Sequence, residues 1–349
     1  MERITDMEKR YGITNYEKNN RMEGEWKMNE NQIFDVLIIG SGPAGLSAAV
    51  YAKRANLDVL VAEKEYHGTG QIAESDQVDN YLGMFGMNGY DMGEAFREHA
   101  LRLGAEFYEG MADGFSAEPG EKAGVWKVHF ADGQTVTART VIYCAGASHR
   151  RLGVDGEEKF AGRGVSYCAV CDGAFYRGKE AAVIGGGDTA LGDALYLSDL
   201  CGKVYLIHRR DEFRGSASAV EKLREKENVE ILTSAAPARI VGEQTVTALE
   251  LKDGRSIPVN GAFVAVGMKP QTESLRGVVD LDEAGYVIAD ETGVTSAPGF
   301  FVAGDVRTKA LRQVVTAVSD GANAAVSALE YIRRQEDVSN ESVSGDVGF

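Results

Sequence analysis

The chain's densest chemistry lies in residues 166–173, Ser-Tyr-Cys-Ala-Val-Cys-Asp-Gly. Cys168 and Cys171 are separated by two residues and can close a small disulfide ring, in which one thiolate attacks a substrate and its partner resolves the product. Asp172 follows at once, and a carboxylate there can shuttle the protons that thiol chemistry consumes and releases. The pair lies between two glycine-rich turns, Gly40-Ser41-Gly42-Pro43-Ala44-Gly45 and Gly185-Gly186-Gly187-Asp188-Thr189-Ala190. A dithiol set between two nucleotide-binding signatures points to electrons passing from one nucleotide to another and then to sulfur. Zinc is the competing use of such a pair, but it needs two further ligands. The remaining cysteines, Cys144 and Cys201, are isolated and read as small core residues, and the five histidines show no metal spacing.

Each turn needs elements to hold it. Residues 34–39 are an apolar, β-branched run that fits a buried parallel strand, residues 46–55 read as a helix, and residues 58–62 as a second strand ending at Glu63. This strand–turn–helix–strand order is the context a dinucleotide fingerprint requires. Its glycines permit the tight turn and a close approach by a pyrophosphate, the helix start offers free N–H groups, and Glu63 accepts from ribose hydroxyls. The unit then repeats: a strand over 180–184, the second turn with Gly185, Gly187, Asp188, Thr189 and Ala190, a helix from about 188 to 200, and a strand over 203–207. From Gly40 to Glu63 is 23 positions, and from Gly185 to His208 is again 23. Where the first unit has its acid, the second has His208, Arg209 and Arg210, with Arg214 one helical turn beyond. A basic cluster there attracts a 2′-phosphate through charge-assisted bonds, so the second unit should take NADP(H) in preference to NAD(H).

Between the units, residues 66–93 read as loops over a ligand, 90–103 as an amphipathic helix, and 125–130 and 135–143 as strands joined at Asp132-Gly133. Strands are expected over 229–233, 247–251, 261–266 and 299–303, with 267–270 as the crossing back. Gly304-Asp305 caps the last strand, and apolar positions from Leu311 to Leu329 keep helical spacing. Residues 1–32 read as a disordered extension, with Met28 as an alternative start, and 333–349 as a flexible polar tail.

A chain of 349 residues favours two domains. With 53 acidic against 37 basic residues the net charge is −16, which argues against nucleic acid or an anionic membrane as partner. No apolar run approaches the ~20 residues needed to cross a bilayer. The start lacks a signal peptide's layout, and four cysteines are too few for a disulfide scaffold, so a cytoplasmic location is expected.

These motifs, in this order and spacing, resemble the bacterial-type (low-molecular-weight) thioredoxin reductases, a family of flavoprotein disulfide reductases. The resemblance runs from about residue 34 to 332. It rests on Gly40 to Gly45, Cys168-Ala-Val-Cys171-Asp172, Gly185 to Ala190, His208 to Arg214, and Gly304-Asp305 with Arg312-Gln313-Val314. It implies an α/β fold of two Rossmann-like, three-layer ββα domains: an FAD domain in two segments, 33–147 and 274–332, and an inserted NADPH domain, 148–273, carrying the dithiol. It also implies a homodimer, FAD as cofactor, NADPH as co-substrate and thioredoxin as partner. By the same resemblance Gly70, Gln71, Asn80, Gly304, Asp305, Arg312, Gln313 and Val314 would hold FAD. Cys171 would face the flavin, Cys168 would exchange with thioredoxin, and Asp172 would move the proton.

Several residues depart from the family's pattern. Thr69 stands where a second adjacent glycine is usual, Ala73-Glu74-Ser75-Asp76 replaces a threonine-rich stretch, and Leu82 replaces a proline. Gly192 takes the place of an acid in the second unit's helix, at a cost of roughly 0.5–1 kcal/mol relative to alanine. An alternative enzyme keeps flavin and dithiol but takes electrons from ferredoxin or passes them to another disulfide; ferredoxin-linked relatives lack the nucleotide glycines and basic cluster present here. A non-catalytic flavin-binding redox sensor would not need two complete nucleotide sites.

Overall fold

A computed structural model describes residues 32–344, apart from 66–67, 76 and 119–123. The expected disorder of the N-terminal extension, the start at Met28, and residues 345–349 lie outside the described residues. Among the described residues, no helix is long and apolar enough to cross a membrane.

The first sheet is parallel at its centre. β1 (Ile33–Ile39) is nearly all apolar, as a strand covered on both faces must be, and leads through α1 (Pro43–Arg54) to β2 (Val59–Glu63). α2 (Gly89–Arg102), capped by the Asn88 side chain, leads to β3 (Glu106–Glu109). β4 (Ala112–Glu118), β5 (Val125–Phe130) and β6 (Thr135–Tyr143) then pair antiparallel. The strand order is β3-β2-β1-β6-β5-β4. Gly133 turns the expected β5–β6 hairpin at φ +87°.

β7 (Ala147–His149) leaves this sheet for the second, which takes β8 (Val165–Ser166), then the dithiol turn α3 (Ala169–Asp172), then β9 (Glu180–Gly185). The repeat unit continues with α4 (Asp188–Ser198), β10 (Lys203–Ile207), α5 (Ala217–Arg224) and β11 (Val229–Leu232). β12 (Pro237–Gly242), β13 (Val246–Leu251) and β14 (Ser256–Pro258) form a small antiparallel sheet, and β15 (Gly261–Ala265) returns to the parallel one, whose order is β11-β10-β9-β15-β8. Alternate residues of β9 face opposite layers, as the two-residue strand period demands. Ala182 and Ile184 pack with Ile240, Leu249 and Ile257 of the small sheet. Ala181 and Val183 pack with Leu191, Leu197 and Leu223 of the helices. This is the expected three-layer order.

β16 (Met268–Pro270) pairs antiparallel with β7, so the outgoing and returning chain form one short ribbon. β17 (Phe300–Val302) then joins the first sheet beside β6, and α6 (Val314–Ser344) covers it. α6 crosses α1 on small residues: a Cβ at Gly321 would lie 2.0 Å from the carbonyl oxygen of Ala44, so the backbones touch.

α6 corrects two expectations. It begins at Val314, which leaves Leu311 outside it, and it continues to Ser344 where a flexible tail is expected after 332. The polar residues beyond Ile332 include good helix formers, no glycine or proline intervenes before Gly345, and Glu336 anchors the helix to Arg139 at 2.8 Å.

Candidate active site

Cys168 and Cys171 form a disulfide on a single helical turn, their Cα atoms 5.3 Å apart. Cys168 is the N-cap of that turn, and its Sγ accepts from the Cys171 amide at 3.2 Å. Ser166 holds the neighbouring carboxylate: its hydroxyl donates to Asp172 Oδ2 at 2.6 Å and accepts from the Cys168 amide at 3.1 Å. Ser166 is buried and ties the Asp172 carboxylate to the dithiol backbone. Sequence reasoning gave it no role; a hydroxyl two residues before a Cys-x-x-Cys-Asp run was the available signal.

The disulfide lies against the segment that enters α6. Gln313 Nε2 is 3.6 Å from both sulfurs, and its Oε1 accepts from Asn80 Nδ2 at 3.0 Å. The loop bearing Asn80 reaches this place because Ile72, Val78 and Met92 form a small core against which Met84, Met87 and Val314 pack.

The first glycine turn is built for close approach. Gly40 has φ +100°, and a Cβ there would meet the carbonyl oxygen of Cys144 at 2.7 Å. A Cβ at Gly45 would lie 1.9 Å from the Gly40 carbonyl oxygen, whereas one at Gly42 would meet only ordinary contacts, the Gly70 Cα at 3.8 Å and the Thr69 carbonyl oxygen at 3.9 Å. Pro43 and Ala44 begin α1. Glu63 folds back on the turn, accepting from the amide and hydroxyl of Ser41 at 2.8 and 2.9 Å. Gly70, at φ +78°, faces Gly42, and the Gln71 amide donates to the Ala147 carbonyl. The departures sit around this loop: Thr69 is buried against Gly93, while Leu82 is 97% exposed.

Asp305 follows Gly304 at the end of β17, beside this turn. Its Oδ1 is buried with no hydrogen-bond partner among the described residues, and Lys309 Nζ lies 3.9 Å away. Burial raises the Asp305 carboxyl above its usual range, against the opposing pull of Lys309 and Arg312. An orphaned acidic acceptor beside a glycine cradle suits a hydroxyl-bearing ligand, and these residues fit a flavin dinucleotide. Arg312 is spent largely on the loop itself, donating to the carbonyls of Asp305, Arg307 and Lys309 and lying 4.1 Å over the Tyr286 ring. Beneath them is a buried network that the sequence did not announce. Asp320 accepts from Arg307 at 2.6 and 2.9 Å, from Lys309 at 2.8 Å and from the Gly304 amide at 3.0 Å.

At the second turn, a Cβ on Gly185 would strike the Ala265 carbonyl oxygen at 2.3 Å and Ala190 at 2.6 Å, while Gly187 is open and Thr189 exposed. Asp188 Oδ1 accepts from the Ser216 amide at 2.7 Å and the Arg214 amide donates to the Gly186 carbonyl at 2.8 Å, which brings the arginine loop onto the turn. Arg209, Arg210 and Arg214 are exposed. His208, grouped with them in sequence, is set apart by the structure. Its ring is buried, stacks on Phe213 at 5.1 Å, bonds to the Glu212 carbonyl oxygen at 3.0 Å, and fills the space beside Gly186. Burial first, and then the nearby arginines, hold its pKa below the usual value. It shapes the turn more than it offers a charge. Cys144 and Cys201 are buried, and burial pushes both thiols up, away from the reactive thiolate form.

The chain belongs to the pyridine nucleotide-disulphide oxidoreductase family, which it matches over residues 34–321. Its relatives within that class include thioredoxin reductases. It is 40% identical to the thioredoxin reductase of Listeria innocua over 310 residues, 87% of this chain and 95% of that protein. The crystal structure of the Streptococcus pyogenes thioredoxin reductase is 36% identical, covers 87% of this chain and 99% of its own, and superposes with a TM-score of 0.82. The Lactococcus lactis thioredoxin reductase, in a structure described as its FR conformation, is also 36% identical, with 86% and 99% coverage, but has a TM-score of 0.58.

Proposed function

We propose that the protein is an NADPH-dependent thioredoxin reductase whose dithiol is Cys168–Cys171. The observation that carries this reading is the placement of that disulfide against Gln313, eight residues beyond Asp305, so that sulfur from one nucleotide-binding half meets the cradle of the other. FAD fits the first turn, and when bound it supplies the two-electron relay between a hydride donor and sulfur. In this reading residues 33–147 and 274–332 make the FAD domain and 148–273 the NADPH domain.

The chain's own residues then do the following. Arg209, Arg210 and Arg214 bind the 2′-phosphate of NADPH, and the α4 N-terminus with Gly187 receives its pyrophosphate. Ser41 and Glu63 would hold the FAD ribose end, and Asp305 Oδ1 would accept from one of its hydroxyls. Taking up an electron pair and a proton opens the Cys168–Cys171 bond to a thiolate and a thiol, with Asp172, fixed by Ser166, moving the proton. Cys168 attacks the thioredoxin disulfide and displaces one of its sulfurs. Cys171 then attacks Cys168, which restores the enzyme disulfide and releases the partner as a dithiol.

Both cysteines are only partly exposed in this arrangement, so thioredoxin needs a different one. Two solved relatives of equal identity and nearly equal coverage superpose very differently, 0.82 against 0.58, which supports a rigid-body change between the halves. Thioredoxin as acceptor, a homodimeric assembly and a cytoplasmic location complete the reading. The test is a steady-state assay with the cognate thioredoxin: NADPH supports turnover and NADH supports at least tenfold less. Equal rates would remove the arginines from cofactor choice. Cys168→Ser keeps FAD and loses thioredoxin reduction; retained turnover would take the dithiol out of the mechanism.

A further inference from the structure

We propose that Gln313 is a catalytic residue of the dithiol centre, donating a hydrogen bond to the sulfur that carries negative charge after reduction, and that Asn80 positions it. Asn80 Nδ2 can only donate, and it lies 3.0 Å from Gln313 Oε1, so that oxygen is fixed toward Asn80. Nε2 is thereby left pointing at the disulfide, 3.6 Å from both Cys168 Sγ and Cys171 Sγ. The oxygen is itself 3.7 Å from Cys171 Sγ. In the disulfide neither sulfur carries hydrogen, so only the N–H side has a hydrogen-bonding use there.

Reduction changes what that amide meets. The S–S bond takes up two electrons, delivered from NADPH by the activity proposed above, and one proton; it breaks into one thiolate and one thiol. A thiolate is a stronger acceptor than a disulfide sulfur, so the Nε2–H bond strengthens on reduction. A thiol on Cys171 gains an acceptor in Oε1. One amide thus matches a thiolate–thiol pair better than it matches the disulfide, which shifts the equilibrium toward the reduced state. The Asn80 bond keeps the amide from rotating its oxygen toward the charge.

The proposal rests on the dithiol being the redox group of a thioredoxin reductase, and its test is independent of turnover. FAD-loaded wild-type and variant proteins are equilibrated in dithiothreitol redox buffers, trapped by alkylation, and the reduced fraction of Cys168 and Cys171 is measured by mass spectrometry. The thiolate is then titrated by its ultraviolet absorbance. Gln313→Leu is expected to shift the equilibrium about tenfold toward the disulfide, about 30 mV for a two-electron couple, as befits a lost bond to a charged group. The pH at which thiolate appears rises by about one unit. Gln313→Glu keeps the shape but puts a charge where the donor was, so its shift is larger. Asn80→Ala shifts both quantities less, in the same direction, and adds nothing on top of Gln313→Leu. Unchanged potential and unchanged thiolate titration in both Gln313 variants would overturn the proposal. A wild-type protein unable to reduce thioredoxin would instead unseat the functional reading and leave these two measurements standing.

Discussion

Asp320 accepts from Arg307, Lys309 and the Gly304 amide at once, and the three charged side chains are 5–7% exposed. Burial by itself would raise the Asp320 carboxyl, but the bonds from Arg307 and Lys309 overcome it and hold the group below its ordinary 3.8. A carboxyl depressed in the folded state contributes stability that is complete above the unfolded value and is lost as pH falls through the folded one. The acid limb of the stability curve should therefore steepen below about pH 3.8. Asp320→Asn takes from buried Arg307 and Lys309 the carboxylate both are bonded to, so it should cost about 3–5 kcal/mol near neutral pH and flatten that limb. Urea midpoints over a pH series check both; a neutral-pH loss within experimental scatter would mean the network relaxes around the missing charge. Because Asp320 also holds the Gly304 amide, the variant should retain less FAD on purification.

The glycines of the two turns separate positions that need glycine from those that merely have it. A Cβ at Gly45 would lie 1.9 Å from the Gly40 carbonyl oxygen, a backbone contact that cannot yield, so Gly45→Ala should purify with little flavin. Gly192 lies exposed within α4 with nothing near its Cβ direction, so Gly192→Ala should raise stability by roughly 0.5–1 kcal/mol, read as a higher melting temperature with unchanged NADPH affinity. The strands and helices nearest these turns were legible in sequence because long apolar runs flank glycine signatures. β3, β4, β12, β14 and α5 were not: the strands are short or half-exposed with broken alternation, and α5 is only 8 residues long. The continuation of α6 past Ile332 was missed because a polar helix tethered at Arg139 has no apolar stripe to announce it. Spacing alone pointed to the Cys168–Cys171 pair, which forms a disulfide, and to the arginines, which lie exposed beside the second turn. It could not foresee that His208 turns inward, or that Ser166, Arg307, Lys309 and Asp320 form supporting bonds, since those depend on contacts between residues distant in the chain.

In the proposed reaction the dithiol meets a flavin cradle beside the first sheet and a protein disulfide outside it, and among the described residues the chain passes from the first parallel sheet to the second and back through the β7–β16 ribbon. Gly146 stands immediately before β7 at φ +70°, and Gly267 immediately before β16 at φ +106°. Their carbonyls bind the ribbon, Gly146 accepting from the Gln271 amide at 3.0 Å and Gly267 from the Arg150 amide at 2.9 Å. Glycine at both junctions lets the backbone change φ and ψ with little steric penalty, which is what a hinge requires. A side chain at Gly267 would strain this geometry by about 1–3 kcal/mol. Nothing tight opposes its Cβ, the nearest atom being Arg150 Cδ at 3.8 Å, so the strain is in the backbone alone. Gly133, at φ +87° in the β5–β6 hairpin and equally open, supplies the control. Gly133→Ala and Gly267→Ala should lower stability by similar amounts. Only Gly267→Ala should also change thioredoxin turnover, by about tenfold if 1.4 kcal/mol of the strain falls on the interconversion. NADPH affinity and FAD content should stay at wild-type levels in both. Equal turnover in the two variants would move the hinge away from this ribbon and leave the access of thioredoxin to Cys168 to some other element.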